Sequence, residues 1–197
     1  MPRVRSDDYE TKSLAIMDCA ASLFAKEGYP SAKMQDIAQA CGATKSMLYH
    51  YFPTKEDLLF AMLTEHLQRV IQGLDEAVAS AGTPRDKLMA LVLAYTQKSA
   101  QSRRRHVIAM NDVKYLPKAR QAPLLALQRQ LTHSVSLLLR DLNPGLPEDV
   151  YMPYTMMLIG MLNWADFWYK PGGTMKPQEL CDRMGRLFLK GFLAEKA

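Results

Sequence analysis

The sequence predicts an all-α fold of about nine helices. Apolar residues recur at intervals of three and four along most of the 197 residues, and no long run alternates with period two. Capping residues, glycines and prolines divide this pattern into segments. Hydrophobic residues make up 48% of the chain and charged residues 23%, which is the balance of a folded globular protein. We therefore expect packed helices in one domain or two small ones.

Three helices are expected before residue 53. The first covers about residues 6–28, with Ser6 as its cap and a glycine as its stop. The second covers residues 34–41 and is ended by Gly42. The third is capped by Thr44 and runs to about residue 51, because the residue before a proline avoids helical geometry.

A fourth, longer helix is expected from Thr54 towards Ser80. Thr54 and Asp57 resemble a capping box at its start. Further helical segments are expected near four prolines, since a missing N–H costs nothing in the first turn of a helix. These are Pro84, Pro123, Pro147 and Pro177. The longest loops are expected at residues 141–147 and 170–177, which are rich in proline and glycine.

The net charge of +5 is concentrated in one stretch of the chain. Residues 101–120 hold six cations and one acid, so the remaining 19 cations and 19 acids cancel. Bulk charge therefore identifies no DNA-binding region, and the argument must rest on where residues stand. The arginines at 103–105 are compatible with binding a ligand phosphate, capping helix ends, lying in solvent or flanking DNA.

Residues 34–52 have the pattern of a helix-turn-helix. Ile37, Ala38 and Leu48 are placed to face inward, and Gly42 permits a left-handed turn between two short helices. The second helix of such a unit can lie in the major groove of DNA with its first residues at the base edges. Periodicity alone supports a plain helical bundle about equally well. The predicted DNA-binding residues are Lys33, Gln35, Thr44, Lys45, Ser46, Met47, Tyr49, His50 and Lys55.

A longer string of residues separates these two interpretations. It consists of Gly28-Tyr29, Asp36-Ile37-Ala38, Gly42, Leu48-Tyr49-His50-Tyr51-Phe52 and Lys55-Glu56-Asp57-Leu58-Leu59. This string closely resembles the N-terminal module of the TetR/AcrR family of regulators and covers about residues 10–60. The resemblance implies phosphate contacts at Tyr49, His50 and Lys55, and base contacts at Thr44, Lys45 and Met47. Many members have glycine where this chain has Ser46, so the contacts at that position stay open.

The resemblance also implies a division of the chain and a mode of action. A helix-turn-helix domain is expected at residues 1–55 and a larger helical ligand-binding and dimerisation domain at residues 56–197. The implied function is that of a dimeric repressor, released from a palindromic operator by a small molecule. Activation instead of repression stays open, and so does a protein-interaction adaptor that binds no DNA.

Residues 148–170 are apolar on nearly every face. A helix that is apolar all round is buried all round. In a chain of this length, we expect the protein core on one side of this helix and a second subunit on the other. The alternative is a core helix of a monomer. TetR-like proteins resemble the first arrangement, because their last two long helices pair with those of a second chain.

Thirteen methionines indicate either ordinary core packing or an adaptable pocket for an apolar ligand. Residues 163–173 resemble a pattern of family members that respond to acyl-CoA thioesters. An acyl-CoA has an apolar tail and an anionic head, and arginine is suited to phosphate. The inducer is therefore expected to be a small molecule of this kind, with no other cofactor. Its predicted contacts are Tyr95, Arg103, Arg104, Met110, Met157, Met161, Trp164 and Trp168.

Other classes of protein find little support in the sequence. The four histidines have no metal-ligand spacing, and the common catalytic motifs do not occur, so we expect no catalytic or metal site. The three cysteines, at positions 19, 41 and 181, are expected to be reduced thiols. The chain has neither a signal-peptide pattern nor an apolar run of membrane-spanning length, which predicts a cytoplasmic protein.

Overall fold

The computed structural model describes residues 3–170 and 173–196, without the side chains of residues 3–7 and 166. Within that part the chain forms nine α-helices and no strand, which confirms the predicted all-α class. The helices are α1 (Arg3–Glu27), α2 (Met34–Ala40), α3 (Lys45–Tyr51), α4 (Lys55–Ala79), α5 (Pro84–Gln101), α6 (Arg103–Asn111), α7 (Lys118–Leu142), α8 (Tyr151–Trp168) and α9 (Pro177–Ala194). Short 3₁₀ turns at Val113–Tyr115 and Glu148–Val150 precede α7 and α8.

The predicted helix ends agree with the structure where a local signal marks them. Gly28 follows α1 with φ +79°, and Pro84 and Pro177 are the first residues of α5 and α9. The structure differs from two of the expected positions. α1 begins three residues before Ser6, and Pro123 lies in the second turn of α7, where its missing N–H removes one helical hydrogen bond.

The chain divides into two compact units. Unit 1 consists of residues 1–66 and 104–124, and unit 2 of residues 67–103 and 125–197. The packing of the chain thus adds α6 and the start of α7 to the N-terminal helices, whereas the prediction from sequence divides the chain at residue 55. The division at residue 55 concerns functional domains, and it stays a prediction.

The core of unit 1 is built by the helix-turn-helix and the helices that hold it. Ile37 and Leu48 are completely buried, as their spacing predicted, and Ala38 is almost so. Apolar residues of α1 and α4 complete this core, among them Ile16, Met17, Ala20, Ala21, Phe24, Leu58, Leu59, Met62 and Leu63. The helix-turn-helix is therefore fixed by burial of apolar area, the main source of stability in a small helical unit.

A buried arginine ties α6 to two other helices of unit 1. Arg105 is only 4% exposed. Its guanidinium group donates to Glu65 on α4 (2.5 Å), and to Asp18 (2.7 Å) and the Leu14 carbonyl (3.1 Å) on α1. Charge-assisted hydrogen bonds of this kind are stronger than neutral ones and hold their partners in a defined geometry.

Unit 2 has a core shared by α4, α5, α7, α8 and α9. The helix α9 passes very close to α5, because Gly185 stands where a Cβ would lie 2.6 Å from the Met89 sulfur. One side of α8 is buried in this core, through Tyr151, Thr155, Leu158, Ile159, Leu162 and Ala165. No helix in the described part of the chain is both long and apolar enough to cross a membrane.

Candidate nucleic-acid interface

A glycine turn fixes the direction in which the chain leaves α2. Gly42 has φ +63°, in the left-handed region that favours glycine. Its N–H donates to the Gln39 carbonyl (3.1 Å), and the Ala43 N–H donates to the Ala38 carbonyl (2.9 Å). Together these bonds form a Schellman motif, which satisfies carbonyls at the end of a helix. The turn expected at Gly42 is therefore present, and it leads directly into α3.

Thr44 caps α3, as its sequence position predicted. Its Oγ1 accepts a hydrogen bond from the Met47 N–H at 3.1 Å. The Thr44 side chain is exposed. Since a hydroxyl keeps its hydrogen as a donor while its oxygen accepts, the capping role leaves Thr44 able to donate to an outside acceptor.

The helix α3 buries one side and exposes the other. Leu48 is buried and Met47 is half-buried, whereas Lys45, Ser46, Tyr49 and His50 are exposed. We call these four exposed residues the recognition face. The Lys45 ammonium lies 5.9 Å from the centre of the Tyr49 ring, within the range of a cation–π contact. Two further predicted residues, Lys33 and Gln35, are exposed at the start of α2.

Tyr9 on α1 supports the end of α3, and sequence reasoning missed it. Its ring stacks on Tyr51, with centroids 4.5 Å apart and planes 24° apart. It also meets the edge of the His50 ring, at 6.5 Å and 84°. Offset and edge-to-face pairs of this geometry are favourable. The available signal was a single aromatic residue in the otherwise polar stretch Ser6–Ser13.

Lys55 is engaged within the protein, whereas the family resemblance implies a phosphate contact for it, which stays a prediction. Its ammonium donates to the carbonyls of Tyr29 (2.9 Å), Pro30 (3.2 Å) and Ala32 (2.9 Å). It also lies 4.5 Å from the centre of the Tyr29 ring. An ammonium has three N–H donors, and all three have acceptors here. We therefore assign Lys55 to holding the loop between α1 and α2.

The start of α4 is fixed by the predicted pair of Thr54 and Asp57. The Asp57 N–H donates to Thr54 Oγ1 (3.0 Å), and the Thr54 hydroxyl donates to Asp57 Oδ2 (2.6 Å). Arg120, at the start of α7, donates to the other carboxylate oxygen at 2.5 Å. The hydrogen bond from Thr54, and then that from Arg120, hold the pKa of Asp57 below its ordinary value. Asp57 thus stays ionised and joins α7 to α4.

The residues predicted to bind a ligand are not brought together. Tyr95 is buried, and its hydroxyl donates to Asn163 Oδ1 at 2.6 Å. Arg104 donates to Ser22, and Met110 is exposed; both residues belong to unit 1. Met161 packs against the core of unit 2. The remaining three aromatic or methionine residues, Met157, Trp164 and Trp168, are more than half exposed on α8.

Unit 2 contains a cavity that includes one of the predicted ligand residues, Arg103. Its volume is about 150 Å³. The other lining residues are mostly apolar and come from α5, α8, α9 and the segment after α8: Thr96, Ala100, Leu162, Ala165, Tyr169, Pro177, Leu180, Cys181 and Met184. The Thr96 hydroxyl and the Cys181 thiol lie 2.9 Å apart and provide a polar point in the wall. Burial raises the pKa of Cys181, which therefore stays a neutral thiol.

Two helices of unit 2, α8 and α9, expose an unusual amount of apolar side chain. On α8, Met156, Met157, Trp164, Phe167 and Trp168 are between 50% and 65% exposed, and Met152 is 42% exposed. Leu187 on α9 is 69% exposed. We call these seven residues the α8–α9 apolar face. Exposed apolar patches on this scale mark interaction sites.

The histidines form no metal site in the described part of the chain. No group of three or more histidine, cysteine, aspartate or glutamate side chains there could hold a metal ion. His66 and His106 are both buried, with Nε2 of the first 3.1 Å from Nδ1 of the second. This pair satisfies two ring nitrogens within the core of unit 1.

Comparison with known proteins gives two family matches. Residues 16–62 match the family described as bacterial regulatory proteins, tetR family. Residues 81–192 match the family described as tetracyclin repressor-like, C-terminal domain. The first match contains the whole helix-turn-helix, and the second contains the cavity and the α8–α9 apolar face.

Individual relatives agree with these matches over nearly the whole chain. A solved TetR-family transcriptional regulator from Bordetella parapertussis 12822 is 34% identical, covers 94% of this chain and 97% of its own, and has a TM-score of 0.86. The HTH-type transcriptional repressor KstR2 of Rhodococcus jostii RHA1 is 27% identical and covers 94% of this chain and 95% of its own. The structure of AibR in complex with isovaleryl coenzyme A and operator DNA shares the fold, with 24% identity, a TM-score of 0.79, and coverage of 89% and 97%.

Proposed function

The chain belongs to the TetR family of bacterial transcriptional regulators, and from that premise we propose that it is a dimeric repressor released from a palindromic operator by a small molecule. The chain is a DNA-binding regulator and not an enzyme, as its family models and relatives are. Family membership also disfavours the adaptor that binds no DNA. A repressor of this kind acts on chromosomal DNA, so the proposal includes the cytoplasmic location expected from sequence.

The recognition face carries the proposal for DNA binding. A short helix, capped at its start and backed by the buried Leu48, presents Lys45, Ser46, Tyr49 and His50 to the outside. We assign Lys45, with Thr44 and Ser46, to the base edges in the major groove. Tyr49 and His50, with Lys33 and Gln35 on α2, are assigned to phosphates. Met47 is half-buried, so its proposed base contact is limited to the exposed part of its side chain.

The test is a selection of DNA by the purified protein. Genomic fragments are incubated with the protein, and the bound ones are recovered and sequenced. We expect enrichment of an inverted repeat whose halves lie about one helical turn apart, since a twofold dimer presents two recognition helices at that spacing. Affinity should fall steeply as salt rises. Absence of enrichment at low salt, from protein shown to carry no bound ligand, would contradict the proposal.

Two substitutions on α3 are expected to have different effects. Tyr49→Ala removes a proposed phosphate contact, so we expect similar losses of affinity on the operator and on unrelated DNA. Lys45→Ala removes a proposed base contact, so we expect a loss of about 1–3 kcal/mol on the operator and relaxed preference at one base pair. The measurement is a binding titration of both variants against operator and scrambled duplexes. A uniform loss for Lys45→Ala would make it a phosphate contact, and an unchanged affinity for Tyr49→Ala would remove Tyr49 from the interface.

The cavity of unit 2 is the proposed site of the small molecule. A cavity of about 150 Å³ is the size that accepts benzene in an engineered protein core. That volume suits a short or branched acyl chain better than a four-ring steroid. Arg103 at the cavity supplies a cation for an anionic group of the same ligand. We therefore propose a short-chain acyl-CoA thioester as the ligand class, with the acyl group in the cavity. AibR, whose structure contains isovaleryl coenzyme A, supports this choice.

Filling the cavity is expected to separate ligand response from DNA binding. Ala100 lines the cavity and its neighbour Gln101 does not, although both are exposed. We expect Ala100→Phe to weaken the response to short-chain acyl-CoA thioesters by about tenfold or more, because the ring occupies space that the acyl chain needs. Gln101→Phe is the matched control and should respond normally. The response is read as thermal stabilisation of the protein and as release of operator DNA.

The outcome of that experiment also decides the ligand class. If no acyl-CoA stabilises the protein or releases DNA, and another class of ligand does either, the acyl-CoA proposal is wrong. If Ala100→Phe responds like Gln101→Phe, the ligand binds elsewhere. In either case, release requires that the ligand bind one conformation more tightly than the other, and its effect is limited to that difference in affinity.

A further inference from the structure

Two cysteine thiols meet between α1 and the end of α2. Cys19 lies on α1, and Cys41 is the C-cap of α2. The Cys19 sulfur lies 3.9 Å from the carbonyl oxygen of Ala40, the residue before Cys41, which brings the Cys19 side chain next to Cys41, and the two thiols interact electrostatically. Both residues are half-buried, so the pair is in contact with solvent as well as with the core. The sequence, which separates these cysteines by 21 residues, gave no sign of the pairing.

The pair stands directly beside the turn that positions α3. Cys41 precedes Gly42, whose left-handed backbone and hydrogen bond to Gln39 define the end of α2. Thr44, the cap of α3, follows two residues later. A displacement of Cys41 is therefore expected to shift the recognition face as well, because only a short turn separates Cys41 from α3.

We propose that Cys19 and Cys41 form an oxidation site, at which oxidants of the peroxide class produce a disulfide that weakens operator binding. This inference rests on the proposed function, because its consequence is read on DNA. A disulfide requires sulfurs about 2.05 Å apart, which is closer than two thiols can approach without bonding. Because the interior of unit 1 is close-packed, α1 and the end of α2 must shift to form the bond.

The chemistry assigns different roles to the two thiols. Burial, and then the hydrogen bond with Cys19, raise the pKa of the Cys41 thiol to about 12, so Cys41 remains protonated. Cys19 is then the residue that attacks the peroxide, giving a sulfenic acid and one water molecule. The Cys41 sulfur then attacks the Cys19 sulfur while its proton passes to the leaving hydroxide, which forms the disulfide and releases a second water molecule. The two thiols are oxidised by two electrons, and one peroxide is reduced to two waters.

The third cysteine provides an internal control. Cys181 belongs to unit 2, is buried, and makes its contact with Thr96 instead of a thiol. It has no second cysteine with which to form a disulfide within the described part of unit 2. Oxidation at Cys181 would therefore leave the cross-link between α1 and α2 unformed.

The experiment treats the full-length protein with hydrogen peroxide and follows mass and DNA binding together. We expect a loss of mass equal to two hydrogen atoms, a cross-linked peptide pair containing Cys19 and Cys41, and an operator affinity lowered about tenfold, since one displaced base contact costs that much. Dithiothreitol should restore both. Cys19→Ser and Cys41→Ser should bind the operator normally and be insensitive to peroxide, whereas Cys181→Ser should behave like the unaltered protein.

Two results would overturn the inference. One is the absence of a cross-link between Cys19 and Cys41 after their thiols have been consumed. The other is a complete cross-link with unchanged operator affinity. The mass measurement needs no DNA, so failure of the proposed function, seen as reduced protein that binds no fragment, is distinguishable from failure of the oxidation site.

Discussion

Arg105→Met is expected to lower the free energy of unfolding by about 3 kcal/mol. Removing one partner of a buried ion pair costs about 3–5 kcal/mol, because the other charge stays in a poorly solvated place. Here Glu65 has a side chain only 23% exposed, whereas that of Asp18 is 72% exposed and stays well hydrated. The low end of the range therefore applies. For a chain of this length the corresponding fall in Tm is roughly 6–12 °C.

The neighbouring arginine provides a matched control for that substitution. Arg104 is exposed and donates a hydrogen bond to Ser22. We expect Arg104→Met to change stability by less than about 0.5 kcal/mol, as surface substitutions usually do. Both variants are compared with the unaltered protein by thermal and urea unfolding at one protein concentration, because dimerisation makes stability depend on concentration. Equal effects of the two substitutions would show that the ion pairs of Arg105 contribute nothing.

The different environments of these arginines could not be predicted from the sequence. From the sequence alone, the run Arg103–Arg105 is a single basic cluster compatible with four roles. Successive residues of a helix point about 100° apart, so three neighbours face different surroundings. Arg103 lines the cavity, Arg104 is on the surface, and Arg105 is buried with two carboxylates. A charge count cannot separate these positions, because they depend on which helices pack around α6.

The helix-turn-helix could be predicted because its signals are local. Gly42 and its turn, Thr44 as a cap and the pair of Thr54 and Asp57 all depend on residues within five positions of each other. Lys55 could not be placed in the same way. Its three acceptors lie more than 20 residues earlier in the chain, and only the fold brings them to its ammonium.

The residues predicted to bind a ligand lie apart for a different physical reason. Methionine and tryptophan residues at helical spacing indicate an apolar surface, but not what covers it. On α8 both sides are apolar, so periodicity does not distinguish the side that faces the core from the side that faces outward. Leu162 and Ala165 line the cavity, whereas Met157, Trp164 and Trp168 lie on the exposed side. The structure does show one side of α8 buried in the core, as expected. The partner subunit expected on its other side stays a prediction.

The double substitution Met157→Glu and Trp164→Glu is expected to convert the dimer into a monomer. Both residues belong to the α8–α9 apolar face, where they are 61% and 65% exposed in the single chain. Each anchor of this type in a dimer interface contributes about 2–4 kcal/mol. Two carboxylates on each subunit would in addition bring like charges into the interface, where they repel. We therefore expect the dissociation constant of the dimer to rise by about a thousandfold or more.

Loss of the dimer should weaken binding to the palindromic operator although α3 itself is unchanged. A dimer on a palindrome holds its second recognition helix at a high effective concentration, which raises the overall affinity by about 10²–10⁴. The double variant should lose about a hundredfold or more in affinity for the full palindrome, while its affinity for an isolated half-site stays as it was. Sedimentation gives the oligomeric state, and titration of the two duplexes gives the affinities.

Leu137→Glu is the control for that experiment, because it places the same charge on another exposed apolar position. Leu137 is 40% exposed and lies on α7, outside the α8–α9 apolar face. We expect it to remain dimeric and to bind the palindrome normally. If the double variant stayed dimeric while Leu137→Glu dissociated, the partner subunit would have to lie on α7 instead of on α8 and α9. If both variants stayed dimeric, the apolar face of α8 would need a different occupant, and the spacing of the two recognition helices would have to be set by another surface.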